Sequence, residues 1–309
     1  MVKDEIIAYV DRFIAKVRPP VLEKTTVTLV ERQGETFRVE TSAGTVTSDA
    51  VILATSLYSS PFIPRAAERL PETLFQLHTA DYRNAPQLPE GEVMVVGSGQ
   101  SGCQIAEDLY LAGRKVHMVT GNAPRCARFH YLTGRDGGRD LDLRKFALEG
   151  MALYGRLSGV TDGKMLFEPN LKSNLDKADQ VYNSINALID RHIAAHAIAA
   201  PEPSVYEPLW EPDGETETLD LAASGITSII WATGFTPDWS YAALPIFDGK
   251  GYPVQRRGVT GVEGVYVLGL PWLWTWGSGR FLAVGKDAEY VVDHLAERLP
   301  QASALRVAS

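Results

Sequence analysis

Ile6, Ile7, Val10, Phe13, Ile14 and Val17 recur at steps of three and four, the spacing of one helical face, and Pro19 with Pro20 stops the helix they predict. The pattern then shifts to alternation over residues 26–32, 37–41 and 45–48. Turn signals at Gln33-Gly34 and Ser42-Ala43-Gly44 make this a small β-meander. The short apolar run Ala50-Val51-Ile52-Leu53-Ala54 predicts a parallel strand buried on both faces. A proline-punctuated linker follows, from Pro61 to Pro89. From Glu92 the order becomes strand, glycine loop, helix, strand. Helices are expected over 141–157 and 176–199, with a loop and strand over 159–170 between them, and an acidic, proline-bearing surface excursion covers 201–218. Residues 226–232 and 265–268 predict two more buried strands, and 279–299 a closing helix.

The 309 residues carry 45% hydrophobic and 22% charged side chains, enough apolar material for a packed core in an α/β protein of one large or two medium units. The formal net charge of -8 disfavours nucleic acid and anionic membranes as partners. The longest apolar run, 264–276, is too short to span a bilayer and contains Pro271. Charges at Asp4, Glu5, Asp11, Arg12 and Lys16 argue against a signal peptide. Cys103 and Cys126 form neither a CxxC pair nor a disulfide framework, which fits a reducing cytoplasm.

The strongest chemical signal is Gly97-Ser98-Gly99-Gln100-Ser101-Gly102, directly after Val93-Met94-Val95-Val96. In such a loop the first glycine turns tightly off a strand, the second admits a pyrophosphate to the backbone, and the third lets the helix pack on the sheet. The free N–H groups at the start of that helix then face the phosphates. A second strand at 115–119 lies at the right distance to complete a nucleotide-binding βαβ unit. NAD sites place a carboxylate after that strand. Here the stretch offers Thr120, Arg125 and Arg128 and no carboxylate, which favours the 2′-phosphate of NADP(H). Solvated loop charges are the alternative for the two arginines.

With these residues in place the chain resembles the flavin-containing monooxygenase-like class of two-dinucleotide-domain flavoproteins. Val51-Ile52-Leu53-Ala54-Thr55-Ser56 resembles the first crossing between domains, with Ser56 where glycine is usual. His78-Thr79-Ala80-Asp81-Tyr82 resembles the second half of the class signature, while Glu72 and Leu74 depart from its first half. Trp231-Ala232-Thr233-Gly234-Phe235 resembles the return crossing, and 264–269 the strand whose end touches flavin in relatives.

The resemblance implies a Rossmann-like NADPH-binding domain at 75–223, inserted into an FAD-binding-like α/β domain made of 1–74 and 224–309. It further implies that Thr233, Gly234, Gly269 and Leu270 contact cofactor, and that His78 and Tyr82 shape the domain junction unless they are ordinary linker residues. The implied chemistry is hydride transfer from NADPH to flavin, then reaction with oxygen and a small-molecule substrate.

No strand, glycine loop and helix precede Gly97, so the FAD-binding-like domain reads as incomplete. Gly277-Ser278-Gly279 follows no strand and has Leu282 at the sixth position, and 129–134 reads as abbreviated. The rival reading is therefore a protein that binds NADP(H) without flavin. Strands at 51–54 and 265–268 left without a neighbour predict a homo-oligomer or a completing partner chain.

Other candidates carry less. No residue stands out as general base or nucleophile. His192 and His196 share a helical face, but Ile193 replaces the glutamate of a zinc HExxH, so no metal is expected. Trp272, Trp274 and Trp276 line a flavin or substrate pocket, or serve core or interface packing.

Overall fold

The computed structural model describes residues 3–121, 132–133, 139–203, 205–281 and 283–298. The chain divides into two compact units, one made of the residues up to Arg12 with Pro61–Gly234, the other of Phe13–Ser60 with the residues from Phe235 onward.

The first unit is built on a five-stranded sheet in the order Ala152–Tyr154, Val116–Val119, Glu92–Val96, Ile226–Trp231, Phe75–His78. Every pairing in it is parallel. Period-two alternation explains why its strands read as unbroken apolar runs. Val93 and Val95 pack into one buried cluster with Cys103 and Leu109 of the helix Gln100–Leu111. Met94 and Val96 pack into another with Met165, Phe167 and Trp231. Both faces are covered, as parallel sheets require. The second cover is a three-stranded antiparallel sheet of Leu157–Thr161, Lys164–Phe167 and Thr218–Asp220.

Two expectations change here. The segment 141–157 is not one helix: Leu143–Leu148 is helical, Gly150 takes φ 99°, and Ala152–Tyr154 joins the sheet beside Val116–Val119. Backbone pairing at an open sheet edge outweighs local helix preference. The later helix runs Leu171–Ala195, starting five residues before the expected position. Its first N–H groups, those of Leu171 and Lys172, are both accepted by the Glu215 carboxylate at 3.0 Å. A charged cap supplied from a distant strap fixes a helix start that its own N-cap, Asn170, does not cap with its side chain.

The unit boundaries also lie outside the expected 75–223. Ile226–Trp231 sits between Glu92–Val96 and Phe75–His78, which binds it to the first unit's sheet.

In the second unit, Val27–Gln33, Thr36–Thr41 and Gly44–Ser48 form the expected antiparallel meander, extended by Ala242–Ala243. A second sheet runs in the order Gln255–Arg256, Val259–Thr260, Val265–Val267, Val51–Leu53. Its core gathers Val30, Phe37, Leu53, Trp239, Val267 and Leu273. Val51–Leu53 is not buried on both faces: Leu53 is buried, while Ile52 is 37% exposed. The strand has only Val265–Val267 as a ladder partner among the described residues. The last helix begins at Val284, after turns over the residues from Gly279. No helix among the described residues is long and apolar enough to cross a membrane.

Candidate functional site

Two of the loop glycines are demanded by the protein itself. Gly97 has φ 115°, and a Cβ there would lie 2.3 Å from the Ala232 carbonyl oxygen. A Cβ on Gly102 would lie 2.0 Å from the Gly97 carbonyl oxygen and 3.0 Å from the Ala232 Cβ. Gly99 is different. Its φ of -72° and ψ of -179° suit any residue, and a Cβ on it would meet nothing within 4 Å. Nothing in the described protein requires glycine at that position, so the open space is what a ligand pressed against the backbone would use. Gly99 is also the N-cap of the helix Gln100–Leu111, and no side chain caps that end. Open space at Gly99 together with a helix start suits a pyrophosphate.

Gly97, Ser98 and Gly99 line a cleft of about 590 Å³, together with Thr120, Gly121, Thr233 and Gly234. Ser98 is buried, and its hydroxyl accepts from the Gly121 N–H at 3.2 Å, which ties the first loop to the end of the second strand. Gln100 and Ser101 open the helix, with Ser101 exposed. Thr120 is placed as expected, but its hydroxyl donates to the Tyr154 carbonyl at 2.9 Å and accepts from Asn174 at 3.3 Å. It shapes the cleft floor rather than offering a free hydroxyl. Arg125 and Arg128 lie outside the described residues.

Sequence reasoning missed Arg156, a cation that lines the cleft. Its N–H donates to Asn170 Oδ1 at 2.9 Å, and its carbonyl accepts from the Glu168 N–H at 2.8 Å. The backbone is thus fixed on both sides. The guanidinium is about half exposed and stands 3.7 Å from the Glu168 carboxylate, a long contact that contributes little. The signal was present: Gly150 and Gly155 bracket a short apolar run, a strand pattern rather than a helical one.

His78 and Tyr82 both act within the first unit. His78 is buried, and its Nδ1 accepts from the Ala80 N–H at 3.1 Å, so Nε2 carries the proton. That N–H donates to the Gly234 carbonyl at 2.8 Å. The same carbonyl accepts from the Phe62 N–H at 3.0 Å, and the Thr233 hydroxyl donates to the Phe62 carbonyl. The Thr233-Gly234 wall of the cleft is therefore held from two sides. Tyr82 donates to Asp108 at 2.7 Å, which docks it on the helix that follows the glycine loop.

A second polar chain crosses the sheet. Lys115 and His117 donate to the two oxygens of Glu92 at 2.9 and 2.6 Å, and the Tyr154 hydroxyl reaches His117 Nδ1 at 2.8 Å. Burial pulls the His117 imidazole below its ordinary value, against the pull of Glu92. Burial alone would raise the Glu92 carboxyl, but hydrogen bonds from His117 and Lys115 hold it low.

Other candidates lie elsewhere. Gly269 and Leu270 are in the second unit, with Leu270 buried in its core. Trp272, Trp274 and Trp276 are not core residues: they are 70%, 53% and 46% exposed, while Leu273 between them is buried. The rings of His192 and His196 lie tilted with centroids 4.1 Å apart, and no metal-binding group of three ligands occurs among the described residues.

A parallel sheet whose central strand feeds a glycine loop and helix defines the first unit as a Rossmann-like dinucleotide-binding fold. The family model described as pyridine nucleotide-disulphide oxidoreductase matches residues 1–131. A CzcO-like oxidoreductase of Geobacillus kaustophilus, itself uncharacterized, is 31% identical over 297 residues, covering 95% of this chain and 78% of that protein. A flavin monooxygenase variant from Stenotrophomonas maltophilia has a similar fold, with TM-score 0.57 and 22% identity over 95% of this chain and 76% of its own. Bacillithiol disulfide reductase from Staphylococcus aureus is alike in fold too, with TM-score 0.58 and 14% identity over 97% of this chain and 80% of its own. The chain belongs to the CzcO-like oxidoreductases.

Proposed function

We propose that the protein is an NADPH-dependent flavin oxidoreductase of the monooxygenase type, with its first unit holding NADP(H). The observation that carries this reading is Gly99, the one loop glycine that the protein's own packing does not require. The pyrophosphate would lie over Gly97-Ser98-Gly99 against the helix start, with Gln100, Ser101 and Gly102 supplying its first turn. Arg156 would take the additional negative charge of a phosphorylated ribose, and Arg125 and Arg128 are proposed to share it. Thr233 and Gly234, held by His78 and Phe62, would fix the opposite wall. Bound flavin supplies hydride acceptance and the reduction of oxygen.

The second unit fits FAD less well. Among its described residues no glycine loop opens a helix: Gly277, Ser278 and Gly279 lie in turns. This observation favours the second reading, a protein that binds NADP(H) without flavin.

Calorimetry with NADP+ and NAD+ tests the nucleotide site. Gly99→Ala should fold normally and bind NADP+ about tenfold or more weakly, because its methyl enters the ligand's space. Arg156→Gln should cost about ten- to a hundredfold in NADP+ affinity and leave NAD+ nearly unchanged, the scale of one charge-assisted bond. Unchanged NADP+ affinity in Gly99→Ala would sink the site. The visible spectrum of the purified protein with added FAD, before and after NADPH, separates the two readings. A flavin band that bleaches favours the oxidoreductase, and failure to retain flavin favours the binding protein.

A further inference from the structure

Arg156 reaches the cleft with a carboxylate already beside it. The segment that carries it is pressed from behind by residues 168–170. A Cβ on Gly155 would lie 2.0 Å from the Glu168 carbonyl oxygen and 2.9 Å from Asn170 Oδ1, so only glycine lets the two segments approach. The Asn170 amide then decides where the Glu168 carboxylate stands. Its Oδ1 accepts from the Arg156 N–H at 2.9 Å and from the Asn174 amide at 3.0 Å. A backbone N–H can only donate, which fixes the orientation of the amide. Nδ2 donates to Glu168 Oε2 at 2.6 Å, and Glu168 Oε1 is left facing the Arg156 guanidinium at 3.7 Å.

The carboxylate is thus held in place by a group other than the arginine. A pair this long, with both side chains about half exposed, contributes little to the fold. What it changes is the charge that a ligand meets. Arg156 alone would offer a full positive charge to an anion in the cleft, and a fixed carboxylate beside it offsets part of that field. An anion that takes the guanidinium must also draw it away from Glu168. A neutral ribose hydroxyl gains and loses far less from either charge.

We propose that Glu168 is the resting counter-ion of Arg156, weakens the cleft's hold on a phosphorylated ribose, and so sets the balance between NADP(H) and NAD(H). This role rests on the cleft holding a nicotinamide nucleotide, and it adds a residue that acts against the ligand's phosphate.

Calorimetry on the full chain with NADP+ and with NAD+ tests it. Glu168→Gln keeps the length of the side chain and an oxygen for Asn170, so it should fold like wild type. It should bind NADP+ about three- to fivefold more tightly and NAD+ within about twofold of wild type, the scale of one exposed ion pair. Glu168→Ala, which removes the carboxylate by another route, should show the same split. A gain confined to the phosphorylated nucleotide is not an effect of altered packing alone. In an Arg156→Gln background, Glu168→Gln should change NADP+ affinity by less than about twofold, because the guanidinium it frees is gone. Equal NADP+ affinity in wild type and Glu168→Gln, an equal gain for NAD+, or a full gain in the Arg156→Gln background would overturn the role of Glu168 and leave the nucleotide site standing. A wild-type chain that binds neither nucleotide would overturn both.

Discussion

The chain writes nearly the same sentence twice. Val51-Ile52-Leu53-Ala54-Thr55-Ser56 and Ile229-Ile230-Trp231-Ala232-Thr233-Gly234 both run a parallel strand into an Ala-Thr turn. Their surroundings differ. Ile230 is fully buried between two neighbouring strands, whereas the matching Ile52 is 37% exposed on a strand with one described ladder partner. Thr233 donates to the Phe62 backbone, while Thr55 pairs with the Tyr241 hydroxyl at 3.0 Å. The same local pattern thus specifies the same local backbone, and neighbours alone decide how much of it is buried. An apolar run reports a capacity for burial, not its fulfilment.

Matched substitutions at the two turns test this asymmetry most sharply. Ala232 is wedged against the glycine loop, close enough that a Cβ on Gly102 would stand 3.0 Å from its own. Ala232→Val should overpack that contact and cost about 1–3 kcal/mol in urea denaturation. Ala54 is exposed, and Ala54→Val should fall within about 0.5 kcal/mol of wild type. Equal costs at the two positions would erase the distinction drawn here.

His78 is the next lever, because the return turn has a latch. His78→Ala would leave a buried cavity and remove the Nε2–H donor to Gly234. A loss of about 2 kcal/mol is expected. NADP+ binding should weaken with it, since Gly234 walls the cleft. Calorimetry on the folded variant reads that part separately. A stable variant with unchanged affinity would show that Phe62 alone holds the turn.

The first unit should also respond to acid. His117 is held below its ordinary value of 6.5, so the unfolded chain takes up that proton first. Stability should therefore fall as pH drops through about 6.5 toward the lowered folded value. Glu92 is held below its ordinary 4.5. Its contribution is complete above that value and is lost as pH falls through the lower folded one, so both groups act in the same direction. Denaturation of His117→Phe should show a flatter pH dependence between about pH 7 and 5 than wild type. An identical slope would place the acid sensitivity elsewhere.

What the sequence made legible follows the same division between local and distant causes. The glycine loop could be read because strand, loop and helix follow one another directly in sequence, even though the contact that demands Gly97 comes from the distant Ala232. The meander could be read because its turns and alternation are local. Arg156 was overlooked: the Gly-bracketed run before it hinted at a strand, but its place in the cleft depends on Ala152–Tyr154 pairing beside Val116–Val119. The early start of Leu171–Ala195 was equally hidden, since the capping carboxylate, Glu215, comes 44 residues later. The exposure of Ile52 was missed because the apolar run was read as burial on both faces, although the same strand was expected to lack a neighbour.

The smallest expected effect lies at the last residue of the repeated pattern, where the two turns carry different side chains on the same backbone. Gly234 has φ 84° and Ser56 has φ 63°, both in the left-handed region. Glycine enters that region freely, whereas a Cβ there costs about 1 kcal/mol or more. Ser56 therefore keeps the conformation that its turn requires and bears the strain. Ser56→Gly should relieve it, partly offset by the greater freedom glycine gives the unfolded chain, for a net gain of about 0.5 kcal/mol. Gly234→Ser should do the reverse and lose somewhat more, because the Gly234 carbonyl is already fixed by His78 and Phe62. Paired denaturant midpoints for the two variants, with unchanged m-values, read both signs at once. If Ser56→Gly were destabilising, the serine side chain would have to contribute more to its turn than the left-handed backbone costs.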